Sequence, residues 1–170
     1  MISHIEHTTA LAMSSQSTTV TIRKVDFLAS GLKIVGDLYL PPPSAPNRKG
    51  AALAVLHPFT GVKEQTAGKH AKALAEVGFI TLAFDSAYQG ESEGEPRGLD
   101  SPYRRAEEAK CCVTYLSTRP EVDAERIGVL GICVGGSIAL FTAASDLRVK
   151  SVAAVSTVDP GRITREGIRK

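Results

Sequence analysis

The stretch RIGVLGICVGGSIAL, Arg126–Leu140, decides the fold. Its first part, Ile127 to Ile132, is a short apolar run without polar alternation, the pattern of a strand buried on both faces. Gly131-Ile132-Cys133-Val134-Gly135 follows as a G-x-C-x-G turn, and small and apolar residues from Val134 to about Ala144 carry a helix. Strand, sharp turn and helix in that order place Cys133 at the tip of a strained elbow, positioned as a nucleophile. The neighbours in such a turn must be small; Gly131 and Gly135 meet that need, and Gly136 lets the helix pack closely. The free N–H groups and positive dipole end of the helix point at the turn. The N–H of Val134 is expected to form half of an oxyanion hole.

Working outward, the same alternation of strand and helix recurs. Ala51 to His57 (AALAVLH) and Phe79 to Asp85 (FITLAFD) are further short apolar runs, and Lys150 to Val158 (KSVAAVSTV) is a fourth. Between them, Lys63 to Gly78 has helical spacing through Ala67, Ala71, Leu74 and Ala75, with Gly78 placed to cap its end. Ser101-Pro102 opens another helix, to about Thr118, with Ala106, Ala109, Val113 and Leu116 on one face. The pattern predicts an α/β fold, a mostly parallel sheet with helices on both faces. Upstream, Val20, Ile22, Val25 and Phe27 nearly alternate, with one slip read as a bulge, and Leu32, Ile34, Leu38 and Leu40 hold even positions. These predict an antiparallel N-terminal hairpin turning at Ala29-Ser30-Gly31. In open α/β sheets the site lies at the carboxyl ends of the strands, here the loops beginning at His57, Asp85, Ile132 and Val158.

Composition narrows the function classes. The chain has 170 residues, 43% of them apolar, enough for one domain with one core. Residues 1–18 are expected to form a flexible tail that includes His4 and His7, residues 19–160 the domain, and residues 161–170 a basic, frayed tail. A net charge of +2 with scattered basic residues argues against nucleic-acid binding. Three cysteines, Cys111, Cys112 and Cys133, form neither a disulfide framework nor a C-x-x-C metal pair, which fits reduced thiols in a cytoplasmic setting. No basic leader precedes an apolar core at the N-terminus, and no run approaches the ~20 apolar residues of a membrane span. Neither a metal nor an organic cofactor is expected. GICVGG is not G-x-G-x-x-G and no G-K-[ST] follows, which leaves nucleotide binding weakly supported.

Five segments carry a family likeness: LYLP (Leu38–Pro41), HPFTGVKEQ (His57–Gln65), AFDSAYQGESEG (Ala83–Gly94), DAERIGVLGICVGG (Asp123–Gly136) and VSTVD (Val155–Asp159). In their order and spacing the chain resembles, over residues 20 to 160, the N-terminal part of an α/β-hydrolase. The likeness is greatest to dienelactone-hydrolase-like proteins and fungal polyketide-transferase-type hydrolases. It implies a truncated α/β-hydrolase fold, a cysteine in the elbow where most esterases carry serine, and a second oxyanion donor from the loop His57–Gly61. That donor is expected to be the N–H of Phe59, or of Thr60 if the loop is offset by one. His57 and Gly61 are then expected to shape this loop, and Asp85 to hold its own loop through backbone N–H groups.

The chain order in this superfamily is nucleophile, acid, histidine. After Cys133 the sequence holds Asp146 and Asp159 but no histidine. By the resemblance the chain stops about where a further strand–helix pair is expected to begin, so roughly the last third of the expected fold, with its histidine, is expected to be absent. Two functions are compatible with these residues. One is a hydrolase in which Cys133 attacks an ester, lactone or thioester carbonyl of a small molecule; the other is a non-catalytic fragment or pseudoenzyme serving as a binding or assembly module. Either way, 150–158 is expected to be an apolar edge strand open to pairing with a second copy.

Overall fold

The structure, a computed structural model, describes residues 18–167. All but the last residue of the tail expected over 1–18, with His4 and His7, lies outside the described residues, as do residues 168–170.

Two strands, β1 (Thr21–Ala29) and β2 (Leu32–Leu40), form the hairpin. They pair antiparallel without interruption from Thr21↔Leu40 to Ala29↔Leu32, so the slip in the apolar pattern is not a bulge. Phe27 and Ala29 are buried on one face, with Val25 packed partly against the same core, while Ile22 faces outward and is exposed. Ser30 (φ 49°) and Gly31 (φ 80°) make the two-residue connection, both left-handed as the twist of a tight hairpin requires.

The alternating part follows. β3 (Ala52–Leu56) leads through a single π-helical turn, Lys63–Ala67, into α1 (Gly68–Glu76) and then β4 (Ile80–Phe84). Gly78, at φ 98°, ends α1: its N–H donates to Ala75 O at 3.0 Å and that of Phe79 to Leu74 O at 3.1 Å, which satisfies the last carbonyls. α2 (Pro102–Ser117) starts with proline in its first turn, and β5 (Ile127–Ile132) and α3 (Val134–Ser145) form the strand–helix pair around the elbow. β6 (Ser151–Val155) is shorter than the apolar run that predicted it.

The strands form one six-stranded sheet in the order β1-β2-β4-β3-β5-β6, with β4, β3, β5 and β6 parallel and β2 antiparallel to β4. Alternate residues of the central strands feed two cores. On one face Ala54, Leu56, Leu82 and Val129 meet Ala109, Val113 and Leu116 of α2 and Ile138 of α3. On the other, Val55, Ala83, Leu130 and Ile132 meet Ala67, Ala71 and Ala75 around α1. From β3 the chain crosses to β4 on one side and, after α2, reaches β5 on the other.

Residues 161–166 are not a frayed tail. They belong to α4 (Pro160–Glu166), because Asp159 caps the helix by accepting the N–H of Arg162 at 3.0 Å and Pro160 presets its first turn. β6 sits at the sheet edge with all five residues exposed. No helix among the described residues is long and apolar enough to cross a membrane.

Candidate active site

The elbow is built as a strained turn. Cys133 has φ 57° and ψ −121°, a combination side chains rarely adopt, and is the N-cap of α3. Its backbone is fully used. The N–H donates to Val155 O of β6 at 2.9 Å, and the carbonyl accepts from Gly136 N–H at 2.9 Å and Val158 N–H at 3.3 Å. The flanking glycines leave no room for a side chain. A Cβ on Gly131 would sit 1.9 Å from Gly135 O, and one on Gly135 would sit 2.6 Å from both Leu56 O and His57 O. The turn is thus pressed against the carboxyl end of β3. Cys133 itself is half-buried, and Val134 lies beneath it in the core.

The loop after β3 is fixed one peptide at a time. His57 is fully buried. Its Nδ1 donates to Pro58 O at 2.6 Å, and its Nε2 accepts the N–H of Ser86 at 3.2 Å. Pro58 O also accepts Gly61 N–H at 3.1 Å. A Cβ on Gly61 would crowd Pro58 O at 3.2 Å and His57 Nδ1 at 3.3 Å. In a planar trans peptide the C=O and the next N–H point opposite ways, so holding Pro58 O aims the N–H of Phe59 the other way. The N–H of Thr60 donates to Asp100 Oδ2 at 3.2 Å. Among the described residues the N–H groups of Phe59 and Val134 have no protein acceptor, which separates Phe59 from Thr60 as the open donor. The Phe59 side chain points into solvent, 57% exposed.

Both ring nitrogens of His57 are engaged away from the thiol, and the ring bridges the β3 and β4 loops. Burial and then the charge of Arg105 push its imidazole down to about 4. The other described histidine, His70, bonds Thr66 O at 2.8 Å within its own helical turn.

Asp85 stands apart from the elbow. It is fully buried and accepts Glu91 N–H at 2.9 Å in its own loop. It also accepts Lys63 N–H at 2.7 Å and pairs with Lys63 Nζ at 3.0 Å. Oxygens of Glu64, Asp85 and Glu91 lie within 4.8 Å of one another, a spacing that suits a cation. The Lys63 ammonium bonds all three and takes that place itself. Burial disfavours the charge on Lys63, but its hydrogen bonds to Glu64, Glu91 and Asp85 outweigh burial and raise its pKa. Glu91, bonded to Lys24 and Lys63, is held down at about 2.

Helix α2 supplies groups that motif reading missed. Arg105 and Glu108 are buried on the face that carries Ala106, Ala109 and Cys112. Charged residues inside an apolar helical stripe were the available signal. Glu108 Oε1 accepts Ala87 N–H at 3.2 Å, and Oε2 has no hydrogen-bond partner among the described residues. Burial raises its carboxyl to about 7.

These two buried groups set opposing pH dependences. His57, lowered from 6.5 to about 4, contributes stability that is lost as pH falls from its unfolded value through the folded one. Glu108, raised from 4.5 to about 7, contributes stability that is present below its unfolded value and lost as pH rises through the folded one. Glu108→Gln keeps the acceptor for Ala87 N–H and removes only the second effect. Relative to the parent, it is expected to gain on the order of 3 kcal/mol between acid and neutral pH, since each tenfold change in proton affinity is worth about 1.4 kcal/mol. Urea midpoints across that range measure the gain, and a constant difference between the two proteins would contradict it.

The chain is similar to known proteins over most of its length. The family model "Dienelactone hydrolase family" matches residues 37–160, most of the chain and all of the elbow. The chain belongs to the dienelactone hydrolase family. Among similar proteins, the uncharacterized protein YcjY of Escherichia coli K12 is 45% identical over 147 residues, covering 85% of this chain and 48% of that protein. The thiohydrolase aneE of Aspergillus aculeatus is 35% identical over 144 residues, 84% of this chain and 44% of that one. The crystal structure of the hypothetical protein PA2218 from Pseudomonas aeruginosa superposes with a TM-score of 0.83 at 42% identity, covering 89% of this chain and 47% of that one. The α/β-hydrolase GrgF from Penicillium sp. sh18 gives 0.74 at 31% identity, covering 85% and 50%. The six-stranded sheet is thus the dienelactone hydrolase fold as far as the chain extends, and the chain spans about half the length of these relatives.

Proposed function

We propose that this chain carries the nucleophile half of a hydrolase acting on an ester, lactone or thioester. The observation that carries the reading is the left-handed Cys133 at the N-cap of α3, wedged between two glycines that admit no side chain. The Cys133 Sγ attacks the carbonyl carbon, and the N–H groups of Val134 and Phe59 receive the developing oxyanion. The carbon–heteroatom bond then breaks, the leaving group departs with a proton, and an acyl-thioester remains for water to cleave. The name of the Aspergillus relative, thiohydrolase, favours thioesters among these substrates. Water activation needs a base. Among the described residues His57 and His70 are engaged elsewhere, and the order nucleophile–acid–histidine would place the base after Cys133, where this sequence has no histidine.

The expected result with a p-nitrophenyl ester is a stoichiometric burst that Cys133→Ala abolishes, with little turnover after it. The absence of any Cys133-dependent burst from folded protein would favour a non-catalytic binding module instead.

We also propose that two copies of this chain pair through β6. The strand has one hydrogen-bonded neighbour, no proline and no charge, and a twofold axis makes the same strand complementary to itself. Light scattering across a dilution series is expected to give a dimer; a stable monomer at all concentrations overturns this.

A further inference from the structure

We infer that Asp100 and Arg105 form a clamp that positions the oxyanion loop, and so direct the Phe59 N–H toward the thiol of Cys133. The inference rests on the proposed roles of Cys133 and Phe59. Both clamp residues are nearly fully buried, with 3% of each side chain exposed, and they are joined at 3.2 Å between Arg105 Nη1 and Asp100 Oδ2. Each also grips the loop. Arg105 Nη2 donates to the carbonyl of His57. Asp100 Oδ2 accepts the N–H of Thr60 at 3.2 Å.

Three successive peptide groups are therefore held by three different means. Arg105 holds the carbonyl of the His57–Pro58 peptide. The His57 ring and Gly61 N–H hold that of Pro58–Phe59, and Asp100 holds the N–H of Phe59–Thr60. Thr60 sits at φ 53°, a conformation that relaxes unless its surroundings impose it. The same His57 carbonyl is the atom a Cβ on Gly135 would strike, so the group Arg105 grips also abuts the elbow. Neither residue touches a reacting atom in this scheme; both are positioning residues.

The test separates oxyanion stabilisation from thiol reactivity. Acylation by a p-nitrophenyl ester develops an oxyanion, whereas alkylation by iodoacetamide does not. Arg105→Met is expected to slow acylation of Cys133 by roughly 10- to 100-fold while alkylation stays within about twofold. Arg105→Lys is expected to recover part of the rate, since one ammonium replaces one arm of the fork but cannot span both partners. Amide hydrogen exchange at Thr60 is expected to quicken in Arg105→Met and in Asp100→Ala, with β3 and β5 unchanged. Equal acylation with and without Arg105 overturns the clamp alone. Acylation and alkylation changing together also overturns it, because the substitution then acts on the thiol or the fold. A parent chain that alkylates but never acylates overturns the nucleophile reading, and the clamp's purpose with it.

Discussion

Replacing Gly131 with alanine is expected to cost about 3 kcal/mol or more and to abolish any Cys133-dependent burst. The new Cβ would lie 1.9 Å from Gly135 O, 2.3 Å from Gly135 C and 2.6 Å from Gly136 N. All three are backbone atoms of the first turn of α3, so no side-chain rotation relieves the clash. Either β5 leaves its register with β3 at Leu56↔Gly131, or α3 lifts from the sheet. Overpacking of close-packed structure typically costs about 1–3 kcal/mol, and a backbone collision belongs at the upper end or beyond. Gly136→Ala is the internal control. Its Cβ would meet the Oγ1 of Thr157 at 2.4 Å, the end of a side chain that can turn away. Urea unfolding is expected to rank Gly131→Ala well below Gly136→Ala. Equal midpoints for the two would mean that the turn is softer than its geometry states.

The second large effect is expected at Lys63. Its side chain is 1% exposed and its ammonium lies 3.0 Å from Asp85, which is 0% exposed. Lys63→Met leaves Asp85 with two backbone N–H donors, those of residue 63 and Glu91, and no buried counter-charge. Removing one partner of a buried pair typically costs about 3–5 kcal/mol, because the other charge stays desolvated. The damage is expected to spread along the 85–93 loop, since a Cβ on Gly90 would sit 2.2 Å from Asp85 Oδ2 and the loop is wrapped around that carboxylate. The double variant Lys63→Met/Asp85→Asn, which has no buried charge at this pair, is expected to be more stable than Lys63→Met alone. A loss of under about 1 kcal/mol for Lys63→Met, read by urea unfolding, would show that solvent reaches Asp85 after all.

The sheet is legible in the sequence because its signals are local. Runs such as Ile80–Phe84 and Ile127–Ile132 are apolar without alternation because both faces are covered, and every residue in them is buried. The hairpin turn is legible from Ser30-Gly31. The elbow is legible because G-x-C-x-G reports a steric requirement, and steric requirements at single positions leave single-residue marks. What stays hidden depends on contacts between segments distant in sequence. Nothing near Lys63 announces that it will be buried against Asp85, and nothing near Arg105 announces His57 O as its acceptor. The α4 helix escapes for another reason: its charged residues Arg162, Arg165 and Glu166 resemble solvated chain, and their composition outweighs the short capping signal Asp159-Pro160. Ile22 misleads because apolar identity suggests burial, whereas the register turns that side chain outward.

The position of β3 in the sheet has a consequence for how such a site can diversify. Its two parallel neighbours, β4 and β5, lie on opposite sides of it. This is a topological switch point, where successive connections turn away from each other and leave a crevice above the strand ends. The crevice therefore exists before any side chain is chosen. Substitutions in the loops that rim it can change what enters without disturbing the two cores below, so related chains can share one scaffold yet differ in the molecules they accept.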